Sequence, residues 1–339
     1  MDLRLLFAAS FLVSLAVNLL VIRQAARSGR FIDTHETDKP QRFHDHPTPR
    51  AGGIGILAGI LPLPLLSMGW KLLIPSLFAF FSGIWEDFHQ SLSPRLRLGL
   101  QLFAALLAIL LTGVTVDYLG FGIHLPWVLA LLFSAFAIVG ATNAINIIDG
   151  FNGLAGGIVL TILLSFAATA SELGLEDLTR IITLILGALG GFLLLNFPRG
   201  RIFLGDGGAY LLGFLVALIG IFLAGSRQEV SPWYILAVLI YPVWEVVFSI
   251  LRKRREGRSP MEPDRYHLHM LIYRTLTRNN PATAVVIVLL NLPFAVIATL
   301  YHHNSKLNFA LVLIFVAGYL ALYRALRHRD LKTRGDHQA

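Results

Sequence analysis

Residues 127–153 read WVLALLFSAFAIVGATNAINIIDGFNG, a stretch that is apolar for most of its length and turns polar at its end. An uncharged apolar run of about 20 residues is what a helix needs to cross a bilayer. The whole chain has this character, because 55% of its 339 residues are hydrophobic and only 14% are charged. An ordinary soluble domain is about 25% charged. The composition, with a mean hydropathy of +0.68, therefore predicts an integral membrane protein.

Comparable apolar runs recur along the chain and predict an all-α, polytopic fold with about eleven transmembrane helices. The runs lie near residues 3–22, 51–68, 71–85, 98–115, 127–147, 154–170, 179–197, 208–225, 233–251, 282–300 and 307–323. The first run lacks a small-residue cleavage pattern and is followed at once by further runs, so it predicts a retained helix rather than a signal peptide. Because no polar stretch is long enough for a second domain, we expect one integral membrane domain over residues 1–339.

The basic residues predict how these helices are oriented. If consecutive runs cross in alternate directions, all but five of the 28 lysine and arginine residues fall on one side. The five exceptions are Arg4, Lys71, Arg180, Arg227 and Lys306. Cytoplasmic loops carry the excess of lysine and arginine, so the N-terminus is predicted outside and the C-terminus in the cytoplasm. The formal net charge of +8 then suits an anionic lipid bilayer surface, and no nucleic-acid partner is predicted.

The polar end of the opening stretch, NAINIIDGFNG at 143–153, lies where the fifth run meets the cytoplasm. Asn143, Asn146 and Asp149 recur every three residues, which places them roughly along one side of a helix. Polar side chains inside a membrane protein are costly unless they line water, protein or a ligand. Two interpretations are open: a helix end capped by polar side chains before a glycine turn, or part of a binding site.

Three other polar segments fall on the same predicted side. GIWEDFHQ carries Glu86 and Asp87, LSPRLRLGLQ carries Arg95 and Arg97, and RIFLGDGGAYLLG carries Asp206. Each segment alone could be a solvated helix end or an N-cap. Carboxylate and amide oxygens are ligands that Mg²⁺ prefers, usually together with substrate phosphates, and arginines bind phosphate oxygens. Because these polar segments all fall on the predicted cytoplasmic side, we predict phosphoryl transfer onto a membrane-embedded acceptor at the cytoplasmic face.

Five segments, in this order, resemble the polyprenyl-phosphate N-acetylhexosamine-1-phosphate transferases of the MraY/WecA type, glycosyltransferase family 4. They are DKPQRFHDHPTPRAGG at 38–53, GIWEDF at 83–88, NAINIIDGFNGLAGG at 143–157, FLGDGGAYLLGF at 203–214 and RKRREGRSPMEPDRYHLHMLIYR at 252–274. The resemblance covers nearly the whole chain. It favours the WecA-like branch, which uses UDP-GlcNAc and undecaprenyl phosphate.

This resemblance implies transfer of a sugar 1-phosphate from a UDP-N-acetylhexosamine, such as UDP-GlcNAc, to undecaprenyl phosphate, with release of UMP. It also implies a requirement for Mg²⁺, with Mn²⁺ as a substitute, and a multi-pass protein of the bacterial inner (plasma) membrane. The product would start a lipid-linked glycan such as O-antigen, capsule or another cell-envelope polysaccharide. The choice between a monomer and a homodimer stays open.

The resemblance also assigns roles to individual residues. Asp206 and Asn146 match metal ligands, while Asp87, Glu86 and Asp149 match catalytic positions, with either Glu86 or Asp87 at the lipid phosphate. The matching substrate-binding positions are Lys39, His44, Arg95, Arg97, Asn143, Asn152, Arg265, His267 and His269. The chain departs from the family pattern at four positions: Glu86 and Asn152 replace aspartates, Met270 replaces a histidine, and an arginine replaces the lysine that faces phosphate.

Two rival functions stay open from the sequence. One is the phospho-MurNAc-pentapeptide translocase of the same family, and the other is a lipid-linked sugar flippase or transporter, which predicts polar groups near the bilayer midplane. Apart from Glu245, which lies inside the ninth run, the polar clusters fall at one interface, and we expect Glu245 to have a structural pairing role. Direct attack by the lipid phosphate is favoured over a covalent intermediate, because a phosphate anion needs positioning more than a strong base. His302 and His303 are expected to be solvated in an outer loop.

Overall fold

A computed structural model describes residues 2–28, 48–89, 91–226, 229–259, 262 and 264–336 of the chain. Within these ranges the protein is helical, with turns and an isolated antiparallel bridge between Tyr118 and His124. Apolar runs form helices in a membrane because a helix satisfies its own backbone N–H and C=O groups where water is absent. The predicted all-α class is confirmed.

The helices follow the apolar runs closely. They are α1 (Leu3–Ser28), α2 (Gly52–Ile60), α3 (Gly69–His89), α4 (Pro94–Thr112), α5 (Trp127–Ile148), α6 (Leu154–Glu172), α7 (Glu176–Asn196), α8 (Gly205–Ser226), α9 (Pro232–Val238), α10 (Ile240–Arg255), α11 (Leu268–Ile272), α12 (Asn280–Leu300) and α13 (Ser305–Asp336). A 3-10 turn at Leu63–Leu65 follows α2, and a π-helical turn at Tyr273–Thr277 continues α11. The ninth predicted run is divided between α9 and α10.

Among the described residues, eight helices are long and apolar enough to cross a membrane: α1, α4 to α8, α12 and α13. The pair α9 and α10 adds a ninth if it counts as one span, although its two helices are bent by 79°. These helices make the chain a multi-pass membrane protein. The predicted count of eleven stays a prediction, because α2 is short and α3 is not among the eight.

Helix α8 lies at the centre of the bundle. Its apolar window, Gly205–Gly225, is 89% buried inside the protein, whereas the window of α1 is 22% buried. Helix α8 packs against α2, α3, α5 and α6. A helix that is apolar all round is one that neighbours cover on every side. The first turn of α8, which carries Asp206, is therefore surrounded by the ends of neighbouring helices.

Close backbone contacts fix the position of this first turn. A Cβ added to Gly83 of α3 would lie 2.4 Å from the carbonyl carbon of Asp206, so α3 and α8 approach each other only because Gly83 has no side chain. On another side, the segment before α2 pairs with the segment before α8. The Gly52 N–H donates to the Phe203 carbonyl and the Phe203 N–H donates to the Pro49 carbonyl, both at 2.9 Å.

The turn between α12 and α13 corrects one expectation. His302 was expected to be solvated, but it is only 4% exposed, whereas His303 is exposed as expected. The His302 carbonyl accepts the Ser231 N–H at 2.9 Å, and its Nδ1 lies 3.2 Å from the Thr299 carbonyl. The prediction for His302 was wrong because this turn packs against the start of α9, a contact that hydropathy does not indicate.

Candidate active site

Asp206 lies in the first turn of α8, and three side chains from other parts of the chain contact its half-buried carboxylate. Oδ1 lies 3.5 Å from Arg50 Nη2 and accepts a hydrogen bond of 3.2 Å from Asn146 Nδ2. Oδ2 lies 3.1 Å from Arg97 Nη1. The positive end of the helix dipole also stabilises an acidic side chain at this position. The structure thus brings together Asp206, Asn146 and Arg97, as the sequence predicts.

Arg50 is the member of this cluster that sequence reasoning missed. It lies in the segment DKPQRFHDHPTPRAGG at 38–53, but nothing in that segment indicates that Arg50 contacts Asp206 on α8, 156 residues later in the chain. Arg97 reaches Asp206 from the first turn of α4, where Ser93 caps the helix by accepting the Leu96 N–H. The two arginines therefore contact different oxygens of the Asp206 carboxylate, Arg50 at Oδ1 and Arg97 at Oδ2.

Asp87, near the end of α3, accepts two backbone hydrogen bonds from the start of α8. Its Oδ1 accepts the Asp206 N–H at 3.0 Å, and its Oδ2 accepts the Gly207 N–H at 2.9 Å. The first N–H groups of a helix have no partner within the helix, so a carboxylate satisfies them and complements the helix dipole. Gly205 makes room for this contact, since its φ is +75° and a Cβ there would lie 2.7 Å from Asp87 Oδ2. Asp87 is an interhelical cap, and its catalytic role stays a prediction.

Glu86 makes a different contact from its neighbour. Its Oε2 accepts the Leu92 N–H at 3.1 Å, in the turn between α3 and α4. With 3.6 residues per helical turn, successive side chains point in clearly different directions, so Glu86 and Asp87 do not both face α8. The structure therefore separates a pair that the sequence presents as a unit. The role of Glu86 at the lipid phosphate stays a prediction.

The end of α5 supplies the two amides that the sequence predicted. Asn143 Nδ2 donates to Gln101 Oε1 at 2.6 Å, so this side chain bonds to α4. Asn146, almost one turn further along, donates to Asp206. Only Asn146 therefore contacts the central carboxylate directly. Gln101 has no recognisable signal in the sequence, because a single amide in an apolar helix is more often a packing residue.

Asp149 lies just beyond the last residue of α5. Burial raises the pKa of its carboxyl to about 7, the Arg50 guanidinium lowers it in part, and the nearby Asp206 carboxylate raises it. Asp149 follows Asn146 by three residues at the end of α5, within electrostatic range of Arg50 and Asp206. A carboxyl with a pKa near 7 changes its protonation state in the physiological range, and the catalytic role of Asp149 stays a prediction.

Asn152 is buried in the loop between α5 and α6. Its N–H donates to Asn280 Oδ1 at 2.8 Å, and its Nδ2 donates to the Pro198 carbonyl at 3.1 Å. Its Oδ1 is buried and accepts no hydrogen bond from the part of the chain that the structure describes. A buried acceptor without a donor is destabilising, so a hydrogen bond from a ligand would stabilise this oxygen. This geometry is compatible with the predicted substrate-binding role.

His267 and His269 lie at the start of α11, buried against α10. Their rings stack with centroids 5.2 Å apart and planes within 7°. Glu245 Oε1, on α10, lies 2.9 Å from His267 Nδ1, which is the pairing expected for this buried carboxylate. The His269 ring also contacts the Phe151 ring, with centroids 5.8 Å apart. The histidine segment therefore packs on the loop that follows Asp149.

Four predicted substrate-binding residues are not placed at the cluster. Arg95, two residues before Arg97 on α4, is exposed, since residues two apart do not share a helix face. Arg265 is also exposed. Lys39 and His44 lie outside the described residues, so their roles stay predictions.

The side chains around Asp206 fit a magnesium ion that is held jointly by protein and substrate. Across the described ranges, no group of three or more His, Asp or Glu side chains is arranged to hold a metal ion alone. Mg²⁺ is usually held by one or two protein carboxylates together with substrate phosphates. The Asp206 carboxylate oxygens and the Asn146 amide oxygen are ligands of this kind, and the two side chains are neighbours, since Asn146 Nδ2 lies 3.2 Å from Asp206 Oδ1.

The fold and the site define a multi-pass membrane protein with a carboxylate–arginine cluster where the ends of α3, α4, α5 and α8 meet. Residues 70–224 match the model for glycosyl transferase family 4, and this range contains the Asp206 carboxylate with its partners Arg97 and Asn146. This match supports membership of the chain in that family.

Several relatives resemble the chain over most of its length. The probable undecaprenyl-phosphate N-acetylglucosaminyl 1-phosphate transferase of Bacillus subtilis (strain 168) is 27% identical over 321 residues, which cover 91% of this chain and 88% of that protein. The undecaprenyl-phosphate alpha-N-acetylglucosaminyl 1-phosphate transferase of Escherichia coli (strain K12) is 28% identical, covering 84% and 82%. The decaprenyl-phosphate N-acetylglucosaminephosphotransferase of Mycobacterium tuberculosis (strain ATCC 25618 / H37Rv) is 28% identical, covering 90% and 85%.

Proposed function

We propose that this protein transfers N-acetylglucosamine 1-phosphate from UDP-GlcNAc to undecaprenyl phosphate at the cytoplasmic face of a bacterial inner membrane, and releases UMP. The observation that carries the proposal is the contact of Asp206 with Arg50, Arg97 and Asn146 at the converging ends of four helices. Two guanidinium groups beside a carboxylate suit two phosphate-bearing substrates, one soluble and one lipid. The relatives support this choice, since their names contain polyprenyl phosphate and N-acetylglucosamine.

The reaction proposed is a direct displacement at phosphorus. An oxygen of the lipid phosphate bonds to the β-phosphorus of UDP-GlcNAc, the bond from that phosphorus to the bridging oxygen breaks, and UMP departs with that oxygen. Because the nucleophile is already an anion, the protein must position it and neutralise charge rather than remove a proton. Arg50 and Arg97 bind phosphate oxygens, and Asp87 holds the first turn of α8 in place for this task.

The metal and the remaining polar residues complete the proposal. Asp206 and Asn146 would hold Mg²⁺, or Mn²⁺ in its place. A bound ion of this kind neutralises the charge that develops on the leaving group. Asn152, whose buried Oδ1 has no donor among the described residues, would accept a hydrogen bond from the uracil ring. His267 and His269 would face the sugar phosphate.

Two other functions fit these observations less well. A phospho-MurNAc-pentapeptide translocase would use a similar site, but the relatives above are named for N-acetylglucosamine. A flippase or transporter needs polar groups near the middle of the membrane. The cluster around Asp206 lies instead at helix ends, and the buried Glu245 is satisfied by His267 and by the Tyr319 hydroxyl at 2.9 Å.

The decisive experiment measures both products of the purified, full-length protein. With UDP-GlcNAc, undecaprenyl phosphate and Mg²⁺, we expect UMP and the lipid-linked sugar in equal amounts, and neither product when the lipid or the metal is omitted. A panel of UDP-sugars that includes UDP-MurNAc-pentapeptide identifies the donor. Preference for the pentapeptide would favour the translocase, and absence of UMP with every donor would contradict the transferase. Exchange of labelled UMP into UDP-GlcNAc without lipid would contradict direct displacement.

A further inference from the structure

The two stacked histidines both turn Nδ1 toward the same face of α10. His267 Nδ1 lies 2.9 Å from Glu245 Oε1, and His269 Nδ1 lies 3.2 Å from the Tyr241 hydroxyl. Tyr241 and Glu245 are four residues apart, which places them on one side of the helix. A single helix face therefore contacts both rings through Nδ1. The Nε2 of His267 lies 3.7 Å from Asp264 Oδ2, and the Nε2 of His269 points away from α10.

The two partners require opposite protonation of Nδ1. An ionised carboxylate only accepts hydrogen bonds. Glu245 also accepts from the Leu268 N–H at 3.1 Å and from the Tyr319 hydroxyl at 2.9 Å, so three donors converge on it and His267 Nδ1 is one of them. The Tyr241 hydroxyl is buried, and among the described residues its hydrogen-bond partner is the His269 Nδ1. Because a buried hydroxyl donates where it can, His269 Nδ1 is an acceptor.

His269 is therefore left with its proton on Nε2. Burial lowers the pKa of this ring to about 3 and the neighbouring His267 acts in the same direction, so the ring is neutral near pH 7 and has a single N–H. The Nε2 edge faces Gly150, where an added Cβ would lie 3.6 Å from Nε2. Because Gly150 directly follows Asp149, this N–H borders the candidate active site.

We propose that Tyr241 and Glu245 are positioning residues that hold His269 as its Nε2–H tautomer and His267 as a donor through Nδ1, so that His269 presents an N–H to an anionic oxygen of the sugar phosphate. Tyr241 and Glu245 lie on α10 behind the two rings and contact their Nδ1 atoms, so they act through the histidines rather than on the substrate. The identity of the ligand rests on the proposed function, whereas the tautomers do not depend on it. The two histidines are then not interchangeable.

The tautomers can be measured without substrate. Full-length protein in detergent is labelled with ¹⁵N-histidine, and the His269 and His267 signals are assigned with His269→Gln and His267→Gln variants. In the wild type we expect His269 to have an unprotonated Nδ1 and a protonated Nε2, and His267 to have a protonated Nδ1. A protonated Nδ1 on His269, or an unprotonated Nδ1 on His267, would overturn the proposal without any variant of α10.

A matched pair of variants tests the positioning role. Tyr241→Phe removes the hydroxyl that bonds His269. Tyr234→Phe removes an equally buried hydroxyl that bonds Thr169 at 2.8 Å; the Tyr234 ring contacts His302 rather than His267 or His269. We expect Tyr241→Phe to raise the population of the Nδ1–H tautomer of His269 and to lower kcat/KM for UDP-GlcNAc by about tenfold, the scale of one lost hydrogen bond. Tyr234→Phe should leave the His269 signals unchanged and keep kcat/KM within about twofold.

The two readouts separate the possible failures. Unchanged His269 signals in Tyr241→Phe would overturn the tautomer assignment. A shifted tautomer with unchanged kcat/KM would overturn the role of His269 as a donor to the substrate. A wild-type protein without transferase activity would contradict the proposed function, and the NMR signals would still decide the tautomers.

Discussion

The carboxylate of Asp87 on α3 accepts a hydrogen bond of 3.0 Å from the backbone N–H of Asp206 on α8. Asp87 therefore stabilises the helix turn that carries the Asp206 carboxylate. The second oxygen of Asp87 accepts the next N–H, from Gly207, at 2.9 Å. Any change at Asp87 therefore acts on the position of Asp206 as well as on the chemistry of Asp87 itself. Stability and turnover must be measured together to separate these two effects.

Asp87→Asn keeps one acceptor oxygen but places an NH₂ group against a backbone N–H and removes the charge from the helix N-terminus. We expect a stability loss of about 1 kcal/mol, as for a weakened cap. Turnover should fall further than in Glu86→Asp, which we expect to stay within about tenfold of the wild type. Thermal unfolding and UMP release are measured for both variants.

Two results would count against this interpretation of the pair. Wild-type stability in Asp87→Asn would show that the cap contributes little to folding. A complete loss of turnover in a well-expressed Glu86→Asp would show that the site requires the longer side chain that accepts the Leu92 N–H.

Asp206→Asn keeps the size of the side chain but removes the negative charge between Arg50 and Arg97. Because this charge is proposed to hold Mg²⁺ against the pyrophosphate, turnover should fall by about 10²-fold or more. Asn146→Ala should act in the same direction. The double variant should cost less than the product of the single effects, since both residues hold the same ion. Near-normal turnover with unchanged Mg²⁺ dependence in Asp206→Asn would redirect the metal assignment to Asp87 and Asp149.

Arg97→Ala and Arg95→Ala form a matched pair, because they remove the same side chain two residues apart on α4. Arg97 contacts Asp206 at 3.1 Å and Arg95 is exposed. We expect Arg97→Ala to lower turnover by about tenfold or more, and Arg95→Ala to stay within about twofold. The steady-state rate of UMP release checks both values. The opposite order would show that the bound state turns the other arginine toward the substrate.

Asp149→Asn should change how stability depends on pH. The folded-state pKa of about 7 lies above the ordinary value of 3.8, so the folded protein binds this proton more tightly than the unfolded chain does. The resulting stability is fully present below about pH 4 and is lost as the pH rises to about 7. Because asparagine is neutral throughout, the melting temperature of the variant should rise relative to the wild type over this range and then level off.

This comparison is made by thermal unfolding in EDTA, so that no divalent ion contributes to the charge balance. A difference between variant and wild type that stays constant with pH would show that Asp149 is ionised in the folded protein well below neutral pH.

Neighbouring candidates in the sequence could not be ranked before the structure was known. Glu86 and Asp87 have the same chemistry, as do Arg95 and Arg97, yet one member of each pair contacts α8 or its carboxylate and the other does not. Helical periodicity predicts the angle between two side chains on one helix. It does not predict which direction points toward a partner helix, because that depends on how the helices pack.

The sequence by itself determined the membrane class, the positions of the helices and the gathering of polar residues at their ends, since these depend on hydropathy and spacing within contiguous segments. Asn146 and Asp206 could be named in this way. Only the tertiary structure showed that Arg50 joins Asp206 across 156 residues and that Asp87 caps α8 across 119 residues. Both contacts arise from packing between distant segments and have no local signature in the chain, and the Asp87 contact also requires the close approach of α3 and α8 that Gly83 permits.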